Sequence, residues 1–98
     1  MKLIWSPLAI ERVSEIAEYI AWDKPAAAEK WVNKIFRLVE ILSKFPERGC
    51  IVPEIKNNNF REIIWGNYRI IYKLEKSTIL ILMVRHGRQV LPVEEINE

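Results

Sequence analysis

Apolar positions follow a helical period through the first half of this chain and a strand period through its last third. Ahead of both, Lys2 to Trp5 is a short apolar run suited to a strand. Ser6-Pro7 then supplies a helix start: serine caps the first free amides, and proline at the first helical position has no N–H to leave unsatisfied. Ala9, Val13, Ile16 and Ile20 recur at helical spacing, with Glu11, Arg12, Glu15 and Glu18 on the other side. This helix is predicted to end near Trp22. Asp23-Lys24-Pro25 repeats the start signal. Ala27, Trp31, Ile35, Leu38, Leu42 and Phe45 follow in steps of four, four, three, four and three, the cleanest periodicity in the chain. Pro46 and Gly49 stop this second helix. The connection between the helices is so short that they are expected to form an antiparallel hairpin.

Residues 46–59 read as a loop, because Pro46, Gly49, Pro53 and Asn57-Asn58-Asn59 all disfavour regular structure. Strands follow over Phe60–Trp65, Tyr68–Glu75 and Thr78–His86, with turns at Gly66-Asn67 and Lys76-Ser77. The expected architecture is α+β: an N-terminal strand, an antiparallel two-helix hairpin, then a three-stranded antiparallel meander that forms one sheet with the first strand. Residues 1–98 are read as a single domain. Leu91 to Glu98 is expected to be a short helix or a loose tail.

Two-residue turns would pair Ile64 with Arg69, Glu62 with Ile71 and Arg69 with Val84. Opposed residues share a face. Ile63, Trp65, Tyr68, Ile70, Tyr72, Leu74, Ile79, Ile81 and Met83, with Arg61 and Arg85 at the ends, then face the helices. The opposite face carries Glu62, Arg69, Lys73 and His86, and a bulge in either hairpin would break this grouping.

Composition narrows the class. Half of the 98 residues are hydrophobic and 29% are charged, which favours a folded chain over a disordered one. A net charge of +2 is too slight to argue for nucleic acid. Cys50 is the only cysteine and His86 the only histidine, so no disulfide, no metal site and no cofactor is expected. Glu11 and Glu15 interrupt any signal-like opening, and no apolar run approaches the roughly 20 residues of a membrane helix. A cytoplasmic protein without membrane contact is the expectation.

The candidate chemistry lies in the meander. Arg69 sits inside the middle strand and needs an outlet: a salt bridge to Glu62 across the sheet, or an anion. His86 reads first as a strand-end surface histidine and only second as a proton carrier beside Arg85 and Arg88. Trp31, Tyr19 and Tyr72 read as core residues. Trp22, at the helix junction, is the better candidate for an exposed partner contact.

Ordered motifs connect these features to a known family. Trp5-Ser6-Pro7-x-Ala9, Tyr19-Ile20, Pro25-x-Ala27-Ala28, Leu42-x3-Pro46-x2-Gly49, Tyr68-Arg69-Ile70-Ile71-Tyr72 and Val84-x-His86-Gly87-Arg88 resemble the RelE/ParE toxins of bacterial toxin–antitoxin operons, including plasmid stabilisation proteins. The resemblance spans nearly the whole chain and is closer to the ParE-like branch. It implies the fold above, a cognate antitoxin and a toxin–antitoxin hetero-oligomer, with Trp22 a candidate antitoxin contact. The ParE-like branch implies an inhibitor of DNA gyrase that is not an enzyme. The RelE-like branch implies a ribosome-dependent, metal-free mRNA endonuclease. In that case Glu62, Arg69 and His86 would be catalytic, and Arg69, Arg85 and Arg88 would bind phosphate. The strand before Tyr68 has no lysine and no tyrosine follows Tyr72, both departures from the RelE-like pattern.

Overall fold

The computed structural model describes residues 1–87, so Arg88 and the tail expected over Leu91–Glu98 lie outside the described residues. The elements in chain order are β1 (Lys2–Trp5), α1 (Pro7–Asp23), α2 (Pro25–Leu42), β2 (Cys50–Ile51), β3 (Phe60–Trp65), β4 (Tyr68–Leu74) and β5 (Thr78–His86). They build one five-stranded sheet in the order β1-β5-β4-β3-β2, with β1 parallel to β5 and the other neighbours antiparallel. This is the expected α+β arrangement with one addition. The two-residue β2 pairs with Arg61 and Glu62 at the outer edge of β3, inside the segment read as loop.

Local chemistry explains the ends of the elements. Ser6 caps α1 by accepting a 3.0 Å hydrogen bond from the Ala9 amide, and Pro7 takes the first helical position. Asp23 does not cap α2; Lys24 holds the cap position and gives no side-chain bond. Gly66 opens the β3–β4 turn at φ 58, a conformation that disfavours a side chain.

The helices cover one face of the sheet. Ala9, Val13, Trp31, Ile35, Val39 and Leu42 meet Ile70, Tyr72, Ile79, Ile81 and Val84 in the main core. The stripe of α2 that goes inward is therefore Ala28, Trp31, Ile35, Val39 and Leu42. Phe45, read as the end of that stripe, lies beyond the helix and is exposed. Tyr19, read as core, is 82% exposed. It falls beside the Ile16–Ile20 stripe rather than on it.

The opposite face is closed, not open. Val52 is fully buried there with Phe60, Ile71, Leu82 and Met83, and Ile55 and Leu8 pack against them. The segment after β2 thus folds back over the sheet as a second, smaller cover.

A β-bulge changes the register within β4–β5. Tyr72 pairs with Ile81 but Ile71 pairs with Met83, so Leu82 is the extra residue. Past it every side chain changes face: Val84 joins the helix side and Met83 the other. Arg69 consequently lies opposite Arg85 rather than Val84, and His86 lies opposite Tyr68. Ser6 links the bulge to α1, because its hydroxyl donates to the Leu82 carbonyl at 3.0 Å and its amide donates to Ile81 at 2.9 Å. Ser6→Ala removes the helix cap and this anchor together. It should lower stability by roughly 1–2 kcal/mol, read as a fall in urea midpoint at constant m-value.

Candidate functional site

Arg69 enters from β4, Glu62 from β3 and Glu54 from the covering segment, and the three meet on the face away from the helices. Arg69 Nε donates to Glu62 Oε1 at 2.6 Å. Its two terminal nitrogens donate to the two oxygens of Glu54 at 2.9 and 2.8 Å, a bidentate fork. Arg69 and Glu62 are buried, while Glu54 is about one-third exposed at its side chain (34%). The paired Glu54 carboxylate holds the guanidinium more firmly protonated than usual, against the opposing effect of burial. In return the Arg69 hydrogen bond depresses the Glu54 carboxyl below its ordinary value, with burial pulling the other way.

Two carboxylates on one guanidinium carry a net negative charge; Arg85 lies opposite Arg69 across the β4–β5 ladder. The Arg85 Nε–H is buried with no partner among the described residues. The salt bridge weighed for Arg69 is therefore present, and it is doubled by Glu54, a residue the sequence did not single out.

Glu54 yields a pH prediction. Its folded value lies below its unfolded one. Its stabilisation is therefore present above the unfolded value, near pH 4.5, and is lost as pH falls through the folded value. Glu54→Gln should cost about 1 kcal/mol at pH 7, given the partial exposure. The stability curves of the two proteins should converge in acid. Parallel curves down to full acid denaturation would refute the assignment.

His86 stands elsewhere. Its ring meets Tyr68 edge-on at 5.6 Å and 77°. It lines a groove of about 540 Å3 with Arg12, Glu15, Tyr19 and Tyr68, on the helix side of the sheet. The grouping expected from uninterrupted two-residue hairpins is thus corrected: Glu62 and Arg69 share a face, and the bulge sends His86 to the other. Of the expected phosphate ligands, Arg69 is enclosed by carboxylates, Arg85 faces it, and Arg88 lies outside the described residues. Among the described residues no group of three or more His, Cys, Asp or Glu is placed to hold a metal ion. Among the described residues no helix is long and apolar enough to cross a membrane.

Trp22 is 88% exposed near the end of α1, and Tyr19, one turn earlier, shares its side of the helix. Two adjacent exposed aromatic rings make an apolar surface of the kind partners cover. The position of Tyr19 off the apolar stripe was the available signal for its exposure.

Comparison with known proteins converges on one family. A family model described as "ParE toxin of type II toxin-antitoxin system, parDE" matches residues 3–91. A Sinorhizobium fredii (strain NBRC 101917 / NGR234) protein named "Putative toxin Y4kP" is 32% identical over 93 residues, 93% of each chain. The fold is similar to a chain of the "Chromosomal ParDE TA system from P. aeruginosa", with a TM-score of 0.73 and 20% identity, covering 88% of this chain and 95% of that one.

Proposed function

This chain belongs to the ParE toxin family of parDE type II toxin–antitoxin systems, and from that membership we propose that it arrests growth by inhibiting DNA gyrase. A cognate antitoxin neutralises it, in the cytoplasm, by contacts that include Trp22 and Tyr19. On this reading the toxin is a single-domain protein inhibitor rather than a nuclease.

The observation that carries the choice of mechanism is the closure of Arg69. An RNA-cutting site needs cations free to meet phosphate and a proton carrier beside them. Arg69 has its Nε and both terminal nitrogens engaged by Glu62 and Glu54. His86 points to the other face of the sheet, against Tyr68. These placements support inhibition by surface contact, for which no assembled acid–base set is required.

Two assays on the purified protein test the proposal. Gyrase supercoiling of relaxed plasmid should be lost, with cleaved DNA trapped on the enzyme, while mRNA on programmed ribosomes stays intact. Cut mRNA beside normal supercoiling would overturn it and return Glu62, Arg69 and His86 to consideration as a catalytic set.

A further inference from the structure

One end of the molecule has no role in the reading above. β1 begins there, the β4–β5 turn lies beside it, and α2 ends against it. Hydrogen bonds join the three: the Lys2 amide donates to the Ser77 carbonyl at 3.1 Å, and the Met1 nitrogen donates to the Ser43 carbonyl at 3.0 Å. This end gathers Lys2, Lys44, Arg48 and Lys76, all exposed. Among the described residues no ion pair ties any of the four to a carboxylate. Glu40 and Glu47 are the acids beside them on the chain, and Glu75 is 3.7 Å from Lys73. The chain-wide charge of +2 conceals this polarity, because α1 carries Glu11, Glu15, Glu18 and Asp23 against Arg12 alone.

Phe45 adds an independent observation. Its ring is 60% exposed at the same end, next to Lys44 and three residues before Arg48. The backbone that carries it is fixed. The Phe45 amide donates to the Ile41 carbonyl at 3.0 Å, the Arg48 amide donates to the Phe45 carbonyl at 3.1 Å, and the Pro46 carbonyl accepts from the Tyr72 hydroxyl at 2.9 Å. A ring held out in this way loses little freedom on contact. The anchors of protein interfaces sit within a ring of further contacts that exclude water. Phe45 instead stands among cations, with Pro46 and the exposed Met1 as the apolar groups beside it.

We propose that this end binds duplex DNA: Lys2, Lys44, Arg48 and Lys76 meet phosphates, and Phe45 enters the minor groove as a wedge between two base pairs. Phosphate contacts supply affinity without reading sequence. An apolar side chain pushed between base steps unstacks them and kinks the duplex. Unpaired cations around a rigid, projecting ring match both demands. The 18 residues of α2 span about 27 Å, which separates this end from the Tyr19–Trp22 surface. DNA and antitoxin therefore engage different residues. With gyrase as the target, the toxin would touch the DNA that the enzyme holds.

Fluorescence anisotropy of the full chain with a duplex of about 20 base pairs tests this, together with energy transfer between dyes on the two duplex ends. Binding should weaken on the order of a hundredfold between about 50 and 200 mM salt, for roughly four phosphate contacts. Energy transfer should rise as the duplex kinks. Lys44→Gln with Arg48→Gln should lower the log–log salt slope by about two. Phe45→Ala should keep the slope, bind on the order of tenfold more weakly and leave the duplex straight. Lys24→Gln, at the other end of α2, should behave as the parent does. The substituted side chains are exposed, and matching thermal unfolding confirms that each variant is folded. The proposal fails if the parent does not bind duplex at low salt, if the double variant keeps the parent slope, or if Phe45→Ala still kinks the DNA. It fails also if polyglutamate binds more tightly than the duplex through the same residues, which would make this end a surface for an acidic protein. None of these measurements contains gyrase, so the DNA contact and the supercoiling result stand or fall separately.

Discussion

Arg69→Ala is expected to lower the unfolding free energy by roughly 3–5 kcal/mol, the range for removing one partner of a buried ion pair. The size follows from what the substitution strands. Glu62 has 5% of its side chain exposed and receives its hydrogen bond from Arg69 Nε at 2.6 Å. Without the guanidinium, a carboxylate is left in a dry site with no cation against it. Glu54 would lose both of its bonds but can turn to water, so it contributes less. Replacing Arg69 by Met together with Glu62 by Gln should cost much less than Arg69→Ala alone, because no buried charge is then stranded. Urea denaturation of both variants tests this. A loss below about 1 kcal/mol for Arg69→Ala would place the pair in the class of solvated ion pairs. There is a consequence for interpreting toxicity. An Arg69→Ala protein that fails to arrest growth reports first on folding, so the substitution cannot by itself identify a catalytic arginine. Arg69→Lys, which keeps the charge and loses the bidentate fork, is the better probe.

Most of this fold is legible in the sequence because its signals are local. Ser6-Pro7 starts α1, helical spacing from Ala27 to Leu42 marks α2, and Gly66-Asn67 fixes the β3–β4 register as expected. What escaped depends on tertiary contact. Ile79 to Val84 is an unbroken apolar run, so no alternation within it betrays an extra residue. A hydrogen bond from Ser6, far away in sequence, anchors the bulge at Leu82. Only Arg85 and His86, downstream of the run, change their chemistry as a result. Likewise Val52 is one apolar residue among turn-formers, and nothing in its neighbourhood announces that it is fully buried on the second face of the sheet. Glu54 was missed for the same reason. Its role as a ligand of Arg69 exists only because that segment folds back over β4. The candidate site was thus half legible: Arg69 and Glu62 could be paired from strand register, whereas the third partner and the exclusion of His86 could not.

Gly49→Ala is the second substitution with a large expected effect, about 3 kcal/mol, summing overpacking and a lost buried hydrogen bond. Gly49 has no positive φ to satisfy, so conformational freedom is not what requires it. Close approach is. A Cβ there would stand 2.6 Å from the Glu62 carbonyl oxygen and 2.6 Å from Tyr72 Oη. Neither can retreat cheaply, since Glu62 belongs to β3 and Tyr72 is fully buried beneath the helices. The same contact carries hydrogen bonds: the Gly49 amide donates to Tyr72 Oη at 2.9 Å, and Tyr72 donates to the Pro46 carbonyl at 2.9 Å. Burial raises the Tyr72 hydroxyl above its ordinary pKa, which keeps it a proton donor. Arg61 also binds the Gly49 and Glu47 carbonyls, at 3.0 and 3.3 Å, so one short stretch fixes the start of the covering segment. Displacing it should loosen Val52 and Glu54 together, seen as faster amide exchange over residues 50–60 with the helices still protected. Tyr72→Phe removes the hydroxyl that the new methyl would strike. The double variant should therefore be more stable than the sum of the single losses predicts. Strict additivity, or a Gly49→Ala protein within about 0.5 kcal/mol of the parent, would show that the loop yields freely and that the contact is incidental.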